Sequence, residues 1–400
     1  MKLFNSIDDL DLDGKRVLIR ADLNVPMQKG QILDATRLNR IVPTLTDLLG
    51  RGAKVILMSH LGRPEGCVVP ELSLKPVRGA LEKILKKPVI LTTDCIGQNT
   101  IEQIKNTPQD IVVILENLRF HRGEQANDPK FAQELAKLGE IYINDAFSCA
   151  HRAHASTEGI AKILPAAVGR LMQSELNALS AALENPEHPV GAIVGGAKIS
   201  TKLTVLGNLV NKVDKLIIGG AMANTFLLAE GFSVGNSFCE KNMLSEVHSI
   251  QAEAHRCNCQ IILPKDAIVT DCLVEGRRNE IYSVGFIPED KMIVDIGPES
   301  IKRLIDDLLQ LKTIVWNGPL GAFEYKPFDN ATNIIAQEAA RLTIKKDLVS
   351  IAGGGDTMSA LINAGVQDKF SYVSSAGGAF LEWMEGKDLP GVAILRTKIN

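Results

Sequence analysis

Long apolar runs are missing from this 400-residue chain, and no stretch approaches the roughly 18 residues of a membrane-crossing helix. A charge excess is missing too. Lys and Arg total 44 against 47 Asp and Glu, a formal net charge of −3. No global field therefore favours nucleic acid or an anionic membrane, and anion affinity has to come from local clusters. Cysteine pairing patterns are absent. The seven cysteines are odd in number, scatter from Cys67 to Cys272, and include no CxxC; Cys257 and Cys259 fit no common zinc or redox template. Free thiols in a reducing, cytoplasmic compartment are the expectation. The amino-terminal stretch from Met1 to Asp9 turns acidic too early for a secretory signal. There is no GxxxxGK[ST], which excludes a P-loop, and no GxGxxG opening a helix, which argues against an NAD-linked dehydrogenase.

What is present is a repeated local pattern. Short β-branched runs end in Gly, Asn, Asp, Arg or His and lead into helical stretches. The runs are 16–20, 54–58, 111–115 and 141–143 in the first half, then 190–194, 216–218, 261–263, 292–294, 313–316, 348–351 and 372–374. Continuous apolar runs suit strands buried on both faces, and their alternation with helices predicts parallel α/β sheets. There are too many for one modest sheet, and the length suits two domains. Asp34 is expected to cap a helix through Leu49 that Pro43 kinks or breaks early, and Asp128-Pro129 to open a helix ending before Gly139. A helical stretch from Gly169 to Leu183, followed by the break Asn185-Pro186-Glu187-His188-Pro189, reads as the connector. The expected architecture is α/β: two Rossmann-like domains, each a parallel sheet flanked by helices, joined by a hinge helix. Their predicted bounds are 1–168 with a tail of about 389–400, and 169–388.

Ligands of open α/β sheets bind beyond the carboxyl ends of the strands. In the first half those ends carry Asp22, Asn24, His60, Arg63, Arg119 and Arg152, with Arg37 on the first turn of the following helix. Such arginines, read as lacking matching acids, suit a small polyanion, because guanidinium forks pair bidentately with phosphate and carboxylate oxygens. Asp22 and Asn24 could accept from substrate hydroxyls. The second half ends its strands in glycine: Gly195-Gly196-Ala197-Lys198, Gly219-Gly220-Ala221-Met222, Asn317-Gly318-Pro319-Leu320-Gly321, Gly353-Gly354-Gly355-Asp356-Thr357 and Ala376-Gly377-Gly378-Ala379. Glycines at strand-to-helix turns let backbone amides approach an anion, so a nucleotide is the expected ligand, with Lys198 and Asp356 placed to act.

Five of these motifs together, in order, carry a family resemblance: Ser59-His60-Leu61-Gly62-Arg63-Pro64, Glu116-Asn117-Leu118-Arg119-Phe120, Gly195-Gly196-Ala197-Lys198, Trp316-Asn317-Gly318-Pro319 and Gly353-Gly354-Gly355-Asp356-Thr357. The chain resembles phosphoglycerate kinases from Arg20-Ala21-Asp22 to Phe380-Leu381-Glu382. The resemblance implies that 3-phosphoglycerate or 1,3-bisphosphoglycerate binds at Asp22, Asn24, Arg37, His60, Arg63, Arg119 and Arg152. It implies that ATP or ADP, with Mg2+ on the Asp356 side, binds at Gly196, Lys198, Lys202, Asn317, Glu324 and Gly353, Gly354, Gly355, Asp356 and Thr357. Arg37 and Lys198 are implied at the transferring phosphoryl group, and a cytoplasmic monomer is the family expectation. Two positions depart from the family pattern: Ser148-Cys149 stands where many relatives have Gly-Thr, and Ala221 where many have a third glycine. Other readings are a kinase of another small carboxylic acid and a catalytically idle binding protein. The latter would have lost a basic or metal-side residue, yet Arg37, Lys198, Lys202 and Asp356 are all present.

Overall fold

The computed structural model describes residues 4–396. The expected domain bounds at positions 1–3 and 397–400, at the amino terminus and in the tail, lie outside the described residues. The chain forms two compact units, one running to Leu176 and resuming at Asp388, the other Asn177–Lys387. The first junction lies inside helix Arg170–Leu183, a few residues beyond the predicted start at 169.

Each unit is built on a six-stranded sheet whose neighbouring strands are all parallel. In the first unit the spatial order is Val89–Leu91, Val112–Ile114, Lys54–Met58, Arg16–Arg20, Ile141–Asn144, Ala166–Val168. In the second it is Gln260–Ile262, Lys215–Ile218, Val190–Val194, Thr313–Asn317, Val349–Gly353, Tyr372–Ser374. The central strands are buried along almost their whole length, which is why they read as continuous apolar runs. In each unit the order reverses beside the first strand. The crevice opened there is where an α/β sheet takes its ligand.

The run at 292–294 does not join a parallel sheet. Strand Met292–Ile296 pairs antiparallel with Asp266–Thr270, which also pairs antiparallel with Glu280–Ser283. A short apolar run cannot report strand direction, and this small sheet is an insertion between the third and fourth strands of the second unit's main sheet. The edge strands Val89–Leu91 and Ala166–Val168 were not anticipated; three residues each are too few to show a period.

Helix Thr36–Gly50 runs unbroken through Pro43. Its buried face of Leu38, Ile41, Leu45 and Leu48 anchors it, compensating for the missing proline N–H. Asp34 acts from just outside the helix, whose N-cap is Ala35: its Oδ1 accepts from Thr36 N at 2.8 Å and Thr36 Oγ1 at 2.6 Å. Asp128 caps Pro129–Ala136 as expected, accepting from Lys130 N. The segment after Asp388 is tied to the first unit, with Gly391 N donating to Ala150 O at 2.9 Å and Asn144 Nδ2 to Gly391 O at 3.1 Å. All seven cysteines are free, and no helix among the described residues is long and apolar enough to cross a membrane.

Candidate functional site

The first unit gathers charged side chains at the carboxyl edge of its sheet. Arg37 Nη1 donates to Asp22 Oδ2 at 2.6 Å and to Asn24 O at 3.1 Å. Ser148 Oγ donates to the same carboxylate oxygen at 2.5 Å, and Asn24 N to Asp22 Oδ1 at 3.1 Å. The arginines therefore do have an acid among them, contrary to the sequence reading. Asp22 orients Arg37 and retains lone pairs for a ligand hydroxyl. Asn24 Oδ1 accepts from Gly62 N at 3.0 Å, joining the first two strand-end loops. Arg119 is buried, donates Nη1 to Gly62 O at 2.8 Å, and has a buried Nε without a partner. A donor in that condition costs free energy until a ligand accepts from it.

Arg20 was missed by sequence reasoning. It sits inside the apolar run 16–20 and is fully buried. Its Nε donates to Ser156 Oγ at 2.9 Å, and its Nη2 lies 2.9 Å from His60 Nδ1. Ser156 Oγ donates onward to the buried Glu124 at 2.5 Å. A charged residue inside a strand was the available signal. Burial and the neighbouring Arg20, Arg119, His154 and Arg37 hold the His60 pKa well below the usual histidine range. His60 is thus neutral; its Nδ1 accepts from Arg20, and the proton sits on Nε2, ready to be donated. Burial, with Arg20, Arg119, Arg152 and His151 nearby, brings His154 down to about 4. Arg152 adds to the field on Arg119, placing Arg20, Arg37, Arg119, Arg152 and His60 in one electrostatic cluster. Arg63 is exposed beside Gly62 and makes no ion pair among the described residues.

The second unit uses backbone instead. Gly220 has φ +65°, and a Cβ there would lie 2.6 Å from Gly196 O and 2.7 Å from Gly196 N. The two loops touch so closely that only glycine fits. Gly354, at φ +102°, precedes helix Gly355–Asn363, whose first turn carries the exposed Asp356. Asn317 and Thr357 are buried and knit loops together. Asn317 Nδ2 donates to Gly353 O at 2.7 Å, and Gly318 N to Thr357 Oγ1 at 2.8 Å. Both therefore shape the turns that sequence reasoning expected them to present to a ligand. Lys202 Nζ donates to Asn317 Oδ1. Its burial lowers its pKa to about 8 despite the opposing Asp356 and Glu385 carboxylates, so it still carries its charge at pH 7. Lys198 is exposed at the head of the turn Ile199–Thr201.

A cavity of about 760 Å³ opens beside these turns. Gly196, Gly220, Glu324 and Asp356, all named from the sequence as candidates or in its glycine turns, line it. Lys198, Lys202, Asn317, Gly353, Gly354, Gly355 and Thr357 are not part of its wall. The apolar flank was missed: Leu227, Phe238, Leu273 and Ile293 form it, supplied by a helix, loops and the antiparallel sheet. These residues are far apart in sequence and share no motif. The volume suits a nucleotide, with an apolar flank for a base and glycine amides for phosphates.

Comparison with known proteins identifies the family. The family model described as phosphoglycerate kinase matches residues 7–387. The chain is 53% identical over 395 residues to a phosphoglycerate kinase of Cereibacter sphaeroides, covering 98% of this chain and 100% of that protein. It is 54% identical over 396 residues to one of Sinorhizobium medicae, covering 99% of each. The solved phosphoglycerate kinase of Coxiella burnetii superposes with a TM-score of 0.92 at 43% identity over 98% of both chains. That of Pyrococcus horikoshii gives 0.78 at 28% identity with the same coverage. This chain belongs to the phosphoglycerate kinase family.

Proposed function

We propose that this chain transfers a phosphoryl group reversibly between 1,3-bisphosphoglycerate and ADP, giving 3-phosphoglycerate and ATP. As a member of its family it is a kinase whose phosphoryl acceptor is a carboxyl group. The observation that carries the assignment of sites is the contrast in chemistry. One unit has a cluster of arginines with a buried unpartnered Arg119 Nε, and the other has a glycine-walled cavity of about 760 Å³.

In this reading Arg63, Arg119 and Arg152 hold the distal phosphate of the glycerate, with the neutral His60 donating from Nε2. Asp22 and Asn24 take its hydroxyl. Arg37 and Lys198 act on the equatorial oxygens of the phosphoryl group in flight, where stabilisation counts most in the transition state. Lys202 neutralises nucleotide phosphate, and Glu324 on the cavity wall takes the ribose. Asp356 is the residue that would hold Mg2+; an exposed carboxylate on a cavity wall fits a cation that shares its coordination with phosphates and water. When bound, that ion supplies charge neutralisation between the phosphates.

The attacking group in the ATP-consuming direction is a carboxylate, ionised at neutral pH, so no general base is needed. Acid and nucleotide sites belong to different units, so transfer requires a closure step, with helix Arg170–Leu183 and the return at Asp388 as the hinge. The carboxylate Asp145 steadies the start of that helix, accepting from Met172 N at 2.9 Å and Thr44 Oγ1 at 2.6 Å. The seven free cysteines support a reducing, cytoplasmic setting, and the protein works as a monomer.

Turnover with Mg-ATP and 3-phosphoglycerate, beside the same assay with acetate, tests the proposal. Activity confined to 3-phosphoglycerate is expected. Comparable turnover of acetate would favour the other acid kinase.

A further inference from the structure

Away from the arginine cluster's ligand-facing groups, the first unit brings together an oxygen, a sulfur and a nitrogen ligand. Asp94 and Cys95 follow strand Val89–Leu91, and His121 follows the turn Leu118–Phe120 beyond the adjacent parallel strand Val112–Ile114. One ligand atom from each residue lies within 4.8 Å of the other two. His121 Nε2 is 2.7 Å from Asp94 Oδ1, which also accepts from Cys95 N at 2.6 Å.

The surroundings hold this triad in place. The Asp94 carbonyl accepts from Thr92 Oγ1 at 2.7 Å and Thr100 Oγ1 at 3.1 Å, which pins the loop. The His121 ring packs on Phe131 with centroids 5.3 Å apart. Cys95 is fully buried, whereas the Asp94 and His121 side chains are 48% and 29% exposed. The sulfur therefore forms the floor of the site and the other two ligands its rim, open to solvent above.

We propose that Asp94, Cys95 and His121 bind one borderline-soft divalent cation, with zinc the best fit and water as the fourth ligand. Three protein ligands of mixed O, S and N type with one open position match tetrahedral zinc. Magnesium and calcium, which take oxygen shells, do not fit a site floored by sulfur. On binding, the Cys95 S–H bond is exchanged for a sulfur–metal bond and the proton leaves to solvent. The site is separate from the magnesium-side Asp356, which belongs to the other unit. His121 lies two residues past Arg119, so the cation would also tether the segment that carries this arginine.

Cobalt(II) is the probe. Titrated into the full chain, it should give a saturable thiolate-to-cobalt charge-transfer band at one equivalent, displaced by zinc. Cys95→Ser should abolish the band, and His121→Gln should weaken cobalt binding by at least ~10-fold. Were Cys95→Ser to misfold, His121→Gln, altering a part-exposed residue, decides alone. A wild-type chain without the band, or a band unchanged in these variants and therefore due to Cys67, Cys239, Cys257 or Cys272, would overturn the proposal.

Discussion

The two units share a sheet architecture and, on the proposed assignment, meet the same problem, an anion at the carboxyl edge of parallel strands, with opposite means. The first places charge on side chains. Arg37, Arg119, Arg20 and His60 are positioned by Asp22, Gly62 O, Ser156 and one another. The second places polarity on the backbone, in turns so close that a Cβ at Gly220 would meet Gly196 at 2.6 Å. Side-chain charge gives selectivity for a particular spacing of phosphate and carboxylate, because guanidinium groups match those oxygens in pairs. Backbone amides can hold phosphate without crowding a cavity that, on the proposed reading, also admits a ribose and a base. On the proposed assignment, a small acid and a nucleotide would each be read by the device suited to it.

The comparison breaks most visibly at Arg37. Arg37→Ala should lower kcat by about 10³-fold, the scale associated with an arginine at a transferring phosphoryl group. The fold should survive, since the side chain is only half-buried and Asp22 keeps Ser148 and Asn24 N. Steady-state kinetics with a circular-dichroism melt check this, and near-normal turnover would remove Arg37 from the reaction. Gly220→Ala is the counterpart in the second unit. A left-handed φ of +65° and the approach to Gly196 should cost about 1–3 kcal/mol of stability. Mg-ADP affinity should fall while 3-phosphoglycerate affinity holds, as read by denaturant melts and calorimetry.

Much of this was legible in the sequence because buried parallel strands write themselves as unbroken apolar runs, with functional residues immediately after. Arg37, His60, Arg119 and Asp356 were singled out as candidates that way. Arg20 was hidden because it ends a run that otherwise reads as core, yet it is the buried partner that sets the tautomer of His60. Asn317 and Thr357 were recognised by motif, but their hydrogen bonds go to neighbouring turns, a distinction that needs three-dimensional neighbours. The apolar flank of the cavity was invisible. Phe238, Leu273 and Ile293 come from separate segments whose apolar residues are indistinguishable from core. The antiparallel insertion was misread for a similar reason, since the run at 292–294 carries no mark of strand direction.

The central claim is the separation of acid and nucleotide recognition, and calorimetry on Arg119→Gln tests it most directly. Losing a buried charged donor should weaken 3-phosphoglycerate binding by about 10- to 100-fold. Mg-ADP binding to the same variant should match the wild type. A parallel loss of affinity for both ligands would contradict the account.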